Sequence, residues 1–300
     1  MGQLKRIIVG HDLRIGGAAA LESGIVLASR CDARLRLVHV VEPYHFYRQV
    51  SHPVAVQHGR EKIAEQAGAK LEKVAASPAL GQLRVEYEVR MGKPFVELIL
   101  AGRAWHADLI IIGGPSRQQG HLLGSTGERV MRKAPLPVLV ARKPLSAIAK
   151  RFLVPTDFSP GAGKAAEDGL ALATRFGGRI FFLHVLDSTP LYAYGDEDPI
   201  SPALPIPPLM PEDIEGDWES FLSTLSLGNI AWENRTEEGR PANKILEYAE
   251  AIKADVIVMG THGRSGLAHM LLGSVAEEVA RAAPCPVLTI RPEAFQFQLP

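Results

Sequence analysis

Residues 260–274 read Gly260-Thr-His-Gly263-Arg-Ser-Gly-Leu-Ala-His-Met-Leu-Leu-Gly273-Ser274, after the apolar run Asp255-Val-Ile-Val-Met259 and before the helically spaced Val275-Ala-Glu-Glu-Val-Ala-Arg281. A strand-length apolar run, a glycine-spaced loop and a helix start bring main-chain N–H groups and the positive end of a helix dipole to one place. Anionic groups bind there. A weakened copy lies half a chain earlier, at Asp108-Leu-Ile-Ile-Ile-Gly113-Gly114 and Leu123-Gly124-Ser125.

Subtraction establishes a duplication. Asp12 and Asp157, and His39 and His184, differ by 145; Gly92 and Gly239, and Asp108 and Asp255, by 147; Ser125 and Ser274, and Pro137 and Pro286, by 149. The matches keep their order and sit in similar strings, such as Leu37-Val-His-Val40 against Phe182-Leu-His-Val185. The step from 147 to 149 means that the first copy is two residues shorter in its glycine loop.

In the second copy, apolar runs at Arg151-Phe-Leu-Val-Pro155, 180–185, 229–234, Asp255–Met259 and 286–291 alternate with helical spacing over 165–175, 214–225, 242–252 and 275–281. Strands that are apolar throughout, alternating with helices, predict an α/β fold: a doubly wound, open parallel sheet, twice over. The expected domains are 1–144 and 150–293, joined by the short linker Lys143-Pro-Leu-Ser-Ala-Ile-Ala-Lys150, whose brevity favours packing over independent tumbling. The 300 residues suit two cores. The fifth strands, Pro137-Val-Leu-Val-Ala141 and Pro286-Val-Leu-Thr-Ile290, would be bare apolar edges unless paired with each other, so an intrachain pseudo-dimer is expected. Further association into a homodimer stays open.

Lysines and arginines (33) equal aspartates and glutamates (33), so no nucleic-acid partner is implied. The two cysteines, Cys31 and Cys285, do not correspond between copies; a disulfide framework or zinc site is not expected, and both read as small apolar side chains. With no signal-peptide segment and no membrane span, a cytoplasmic setting is expected. Residues 187–211 hold seven prolines, at 190, 199, 202, 205, 207, 208 and 211, which forbid helix and central strand; the segment is a surface excursion or a lid. Its counterpart, Glu42-Pro-Tyr-His-Phe-Tyr-Arg48, is aromatic.

In an open doubly wound sheet the ligand crevice lies beyond the carboxyl ends of the strands, where strand order reverses. If strands one and four flank that point, Pro155-Thr-Asp157 and the 260–274 loop converge on it. The glycines and Ser274 suit a triphosphate. Asp157 suits base or ribose donors, a bridging divalent cation, or a cap for the helix that Ser159 and Pro160 begin. His39 and His184, at strand ends, read as hydrogen-bonded structural histidines.

This constellation resembles the universal stress protein family, whose nucleotide-binding members carry Gly-x2-Gly-x9-Gly-Ser/Thr, matched here by Gly260, Gly263, Gly273 and Ser274. The likeness spans both copies, through Val-Pro-Thr-Asp-Phe-Ser at 154–159 and Ala-Pro-Cys-Pro-Val-Leu at 283–288. It implies strand order 3-2-1-4-5, pairing through the fifth strands, a stress-survival role and ATP with Mg2+ as ligand. Carried over residue by residue, Pro155, Thr156 and Asp157 lie near the adenine and Val185 beside the base. Met259 and Gly260 stand at the ribose end, and Gly263, Gly273, Ser274 and Val275 around the phosphates. The first copy departs from the pattern: Ser116 replaces the second glycine, Pro115 stiffens the loop, and two residues are missing. Asp12, Val40, Gly124 and Ser125 remain as a weaker or altered site.

The sequence favours a nucleotide-binding regulator with a protein partner it does not name. A slow ATP-hydrolysing or phosphotransfer enzyme is the alternative. It lacks support from a Walker-type loop, paired carboxylates, or a general base beyond Asp157. A scaffold without nucleotide is the third reading.

Overall fold

Ile7, Ile8, Val9, Ile110 and Ile111 are wholly removed from solvent, as a strand must be when helices cover both faces of its sheet. The computed structural model describes residues 4–42, 53–114, 124–187, 211–261 and 272–291. In the N-terminal half, strands β1 (Arg6–Gly10), β2 (Arg34–Val41), β3 (Val85–Met91), β4 (Leu109–Gly113) and β5 (Val138–Ala141) alternate with helices α1 (Ile15–Cys31), α2 (Pro53–Ala75), α3 (Pro94–Ala104) and α4 (Ser125–Lys133). The C-terminal half repeats this with β6 (Arg151–Thr156), β7 (Arg179–Leu186), β8 (Ala231–Glu238), β9 (Val256–Gly260) and β10 (Val287–Ile290). Its helices are α5 (Pro160–Phe176), α6 (Pro211–Ser223), α7 (Pro241–Ala251) and α8 (Ser274–Ala282).

One ten-stranded sheet runs β3-β2-β1-β4-β5-β10-β9-β6-β7-β8. Each half has the expected 3-2-1-4-5 order, parallel throughout, and the fifth strands meet antiparallel, Leu288 opposite Leu139. Alternate strand residues feed two cores. Ile7, Val9 and Ile111 join α1, α2, α5 and α6 residues such as Leu27, Leu71, Ala165 and Trp218 on one face. On the other, Ile8, Ile110 and Ile112 join Ile99, Val130, Ile245 and Val279 of α3, α4, α7 and α8.

The seam carries reciprocal contacts. Arg291, just after β10 and 6% exposed, donates to the Met131 carbonyl at 2.7 Å and to that of Arg132, closing the C-terminal end of α4. Arg142, its counterpart after β5, donates to the Arg281 carbonyl at the end of α8. A cation at a helix C-terminus meets the negative dipole end and carbonyls that have no intrahelical donor. Burial pulls the Arg291 guanidinium down to about 10, so it stays charged at neutral pH. Beside this crossing, Arg132 reaches both Glu128 and Glu277 at 2.9 Å, and Arg281 reaches Glu277 at 2.5 Å and Glu128 at 3.9 Å.

The linker is packed as expected: Leu145 and Ala149 are buried, Leu145 N donates to Ser23 Oγ at 2.9 Å, and Arg30 reaches the Ala147 carbonyl at 2.6 Å. Cys285 is buried, which pushes its thiol up to about 12, and burial also raises Cys31. One expectation fails in detail. The strand read at 229–234 lies at 231–238 and is mostly exposed, because β8 is a sheet edge whose Glu233 and Arg235 face water. Among the described residues, no helix is long and apolar enough to cross a membrane.

Candidate functional site

In the C-terminal half, strands one and four of the repeat, β6 and β9, are neighbours, so the loops after them share the carboxyl edge of the sheet. Their ladder is short: Phe152 pairs with Val256 and Leu153 with Ile257, and pairing ends there. Asp255 N donates to the Arg151 carbonyl at 2.8 Å, so Arg151, Leu153 and Pro155 are the residues whose main chain points toward β9. Pro155 has no N–H to give. Hydrogen-bonded pairing of the two strands therefore stops at Leu153 and Ile257, before either strand ends, at the reversal of strand order.

Thr156 then builds a tight turn. Its Oγ1 accepts from Phe158 N at 3.0 Å, its carbonyl accepts from His184 Nδ1 at 2.8 Å, and Phe158 takes a left-handed φ of 62°. His184 is thus the structural histidine expected, held in one tautomer with Phe158 stacked on it at 4.3 Å. Asp157 Oδ1 accepts from Ser159 N at 3.1 Å and Ser159 Oγ at 2.6 Å, and Ser159 Oγ caps α5 through Ala162 N at 3.2 Å, with Pro160 at the first helical position. Of the readings open for Asp157, the part in capping is seen, two positions before the cap residue Ser159, which it braces.

Across the crevice, Met259 is buried and Gly260 ends β9 beside Ile290. Thr261 N donates to the Ile290 carbonyl at 3.0 Å, and Gly273 N returns to the Thr261 carbonyl at 2.7 Å. The two ends of the glycine loop are thereby stitched together. Gly273 is the N-cap of α8 and offers no side-chain acceptor, so Ser274, Val275 and Ala276 open the helix with N–H groups that helix geometry leaves unbonded. A methyl on Gly273 would stand 3.1 Å from the Thr261 carbonyl oxygen. Val185 lies one residue past the His184 that pairs with Thr156, on the same edge. Gly263, His262 and His269 lie outside the described residues, as do the proline-rich stretch 188–210, the aromatic stretch 43–50 and loop residues 115–123. An open hollow of about 640 Å3 also borders α8, lined by Arg240, Ser274, Glu277, Glu278, Arg281 and Ala282; its two arginines are each paired with one of its two glutamates.

The N-terminal half places Asp12, Val40, Gly124 and Ser125 at the corresponding edge, with different surroundings. Here the β1–β4 ladder continues through Ile7, Ile8, Val9 and Gly10 opposite Leu109 to Ile112. Gly10 stands where Pro155 stands in the other half and keeps its N–H. A methyl on Gly113 would overlap the Gly16 carbonyl oxygen, so the first turn of α1 lies directly against the end of β4. The Arg142 stem covers Gly114, whose counterpart is Thr261: a methyl there would meet its Cγ at 2.5 Å. Asp12 Oδ1 accepts from Arg14 N, the N-cap residue of α1, and from Gly17 N in its first turn, both at 2.9 Å. Gly124, like Gly273, begins its helix without a side-chain cap.

Sequence reasoning named Pro155 but not its part in the ladder, and did not single out His11. Pro155 matters for the ladder it ends, a role that follows from the missing N–H of proline. His11 occupies the place of Thr156, visible by the same subtraction of 145. Asp108 and Asp255, used above only as repeat markers, each fasten the start of strand one: Asp108 Oδ2 accepts from Lys5 N and Arg6 N at 2.8 and 2.9 Å, and Asp255 Oδ2 from Lys150 N and Arg151 N at the same distances.

Comparison with known proteins agrees with this architecture. A solved universal stress protein from Archaeoglobus fulgidus superposes with a TM-score of 0.70 at 24% identity, over 96% of this chain and 99% of that one. A universal stress protein of Mycolicibacterium smegmatis is 31% identical over 95% of this chain and 97% of its own length. One from Methanocaldococcus jannaschii is 36% identical over 47% of this chain and 82% of its own. The model of the universal stress protein family matches twice, at residues 3–142 and 149–291. This chain therefore belongs to the universal stress protein family, as a tandem pair.

Proposed function

We propose that the chain is an ATP-binding regulator of the stress response that holds one adenine nucleotide, in its C-terminal half. The observation that carries this reading is the contrast at the reversal points. Pro155 ends the β6–β9 ladder early next to a glycine loop whose closing residues start α8 without a side-chain cap, whereas the N-terminal ladder runs on and α1 lies against its end. Pro155, Thr156, Asp157 and Val185 would border the base. Met259 and Gly260 would meet the ribose, and Gly263, Gly273, Ser274 and Val275 the phosphates. Mg2+ would be held chiefly by phosphate oxygens, with Asp157 the carboxylate on the neighbouring loop. The role is regulatory because the Asp157 oxygen described above is committed to Ser159, which suits a structural brace better than a general base.

The test is titration calorimetry with Mg-ATP, together with mass spectrometry of ligand released from gently purified protein. About one equivalent per chain is expected. Two equivalents would overturn the asymmetry, and none would leave a protein-interaction scaffold. A multiple-turnover assay separates regulator from enzyme: hydrolysis abolished by Asp157→Ala while binding persists would favour the enzyme.

A further inference from the structure

The turn after strand one is built alike in both halves, with one exchange of chemistry. In the C-terminal half the acceptor for the turn N–H is the Thr156 hydroxyl. In the N-terminal half it is an imidazole: His11 Nδ1 accepts from Leu13 N at 3.0 Å, and Leu13 holds a left-handed φ of 58°. An Nδ1 that accepts a hydrogen bond must be unprotonated, so the ring carries its proton on Nε2. Around it the turn is tightly joined. The His11 carbonyl accepts from His39 Nδ1 at 2.7 Å, and Asp12 holds Arg14 N and Gly17 N. A methyl on Gly17 would stand 2.8 Å from Asp12 Oδ1 and 3.0 Å from the His11 ring.

We propose that His11 is a pH-sensitive latch: its neutral ring holds the first turn of α1 against the end of β4, and its protonation releases that turn and opens the N-terminal crevice. Protonation turns Nδ1 from acceptor to donor and sets it against the Leu13 N–H. A non-glycine residue at positive φ then loses the bond that holds it there. The groups facing His11 are Asp12 beside it, which favours the charged ring, and His39 from β2, which opposes it. Arg14 stands at the start of α1, while the first turn of α1 and the end of β4 contribute Gly16, Gly17, Gly113 and Gly114, with Arg142 over Gly114. Burial is the largest influence and lowers the His11 pKa from its ordinary 6.5. The sign follows: the latched state disfavours the charged ring, so the latch is intact above 6.5 and weakens as pH falls through the lowered folded value. Thr156 gives the other half no such response.

The latch does not depend on nucleotide, and its test uses the intact chain without any. Amide exchange, corrected for intrinsic rates, is followed from mildly alkaline to mildly acid pH at Leu13 and Gly17, with Phe158 and Ala162 of the same molecule as reference. Protection of the N-terminal pair relative to the C-terminal pair should fall by about threefold or more on acidification. The ratio should stay flat in His11→Thr, which copies the other half, and in His11→Asn, which keeps a non-titrating acceptor should the threonine variant fold poorly. Thr156→His should give the C-terminal turn the same response. A wild-type ratio that does not move with pH, or an equal fall in both His11 variants, overturns the proposal. So does a His11 resonance that titrates at or above the ordinary histidine value.

Discussion

The two strand-order reversals of this chain share a topology and differ in how far the central ladder runs. In the N-terminal half the central ladder reaches Gly10 opposite Ile112, and the carbonyl of Gly16 rests on Gly113. In the C-terminal half the ladder stops at Leu153 opposite Ile257. One residue type accounts for the difference at the strand ends, because Pro155 stands where the ladder needs an N–H and Gly10 supplies one. Duplication gave both halves one fold, and backbone chemistry at a few strand-end positions separates their ladders.

The sharpest way to break this comparison is to put a methyl where the closed half has no room. Gly113→Ala would force its Cβ into the Gly16 carbonyl, a main-chain group that cannot rotate away. A loss of about 3 kcal/mol or more is expected in urea unfolding. Gly273→Ala, at a φ of −69° with its nearest atom 3.1 Å off, should cost about 1 kcal/mol or less. Equal costs would mean that the N-terminal crevice is not sealed by α1.

The next largest effect lies at the seam, where each half holds the helix of the other. Arg291→Met keeps the apolar stem but leaves the Met131 and Arg132 carbonyls without their donor in a buried place. It should destabilise the chain by about 2–3 kcal/mol. Arg142→Met, at a half-buried site, should cost about 1 kcal/mol. Chemical denaturation of the two variants side by side reads the difference.

Pro155→Ala sharpens the comparison from the open side. It supplies an N–H toward β9, so the new amide should show slow exchange and the crevice should narrow. Mg-ATP affinity is expected to fall by about tenfold, equivalent to about 1.4 kcal/mol, by calorimetry. Slow exchange at residue 155 without loss of affinity would separate the ladder from ligand binding.

The offsets of 145, 147 and 149 made the fold legible, since a repeat that alternates apolar runs with helical spacing has few topologies open to it. The fifth-strand pairing followed from the cost of leaving Val138–Ala141 and Val287–Ile290 as bare edges. The edge strand β8 starts two residues later and runs longer than expected because Trp232, Asn234 and Thr236 alternate with charged residues, a largely exposed pattern that an apolar-run criterion misses. At the site, Gly273 at the start of α8 and the capping role of the Asp157–Ser159 pair were legible from residue types. The contact of α1 with the end of β4 was not, because it turns on where the Gly16 carbonyl falls relative to Gly113, two residues 97 apart in sequence. Likewise Arg142 and Arg291 match across the repeat, but nothing in their spacing says that each crosses to the opposite half.

The smallest expected effect tests how faithfully the two halves mirror one another. Glu128, Arg132, Glu277 and Arg281 form two pairs that would be equivalent under a perfect two-fold. Yet Arg132 meets Glu277 at 2.9 Å while Arg281 meets Glu128 at 3.9 Å. These side chains are partly exposed, so water screens them and a single pair contributes little. A double-mutant cycle on Arg132 and Glu277 should give a coupling of about 0.5–1 kcal/mol, shrinking as salt is raised, and the cycle on Arg281 and Glu128 about 0.2 kcal/mol or less. Unequal couplings mean that divergence has reached the seam itself, with α4 and α8 held differently although their sequences align. Equal couplings would confine the asymmetry to the strand ends, leaving Pro155 and His11 as the residues that tell the halves apart.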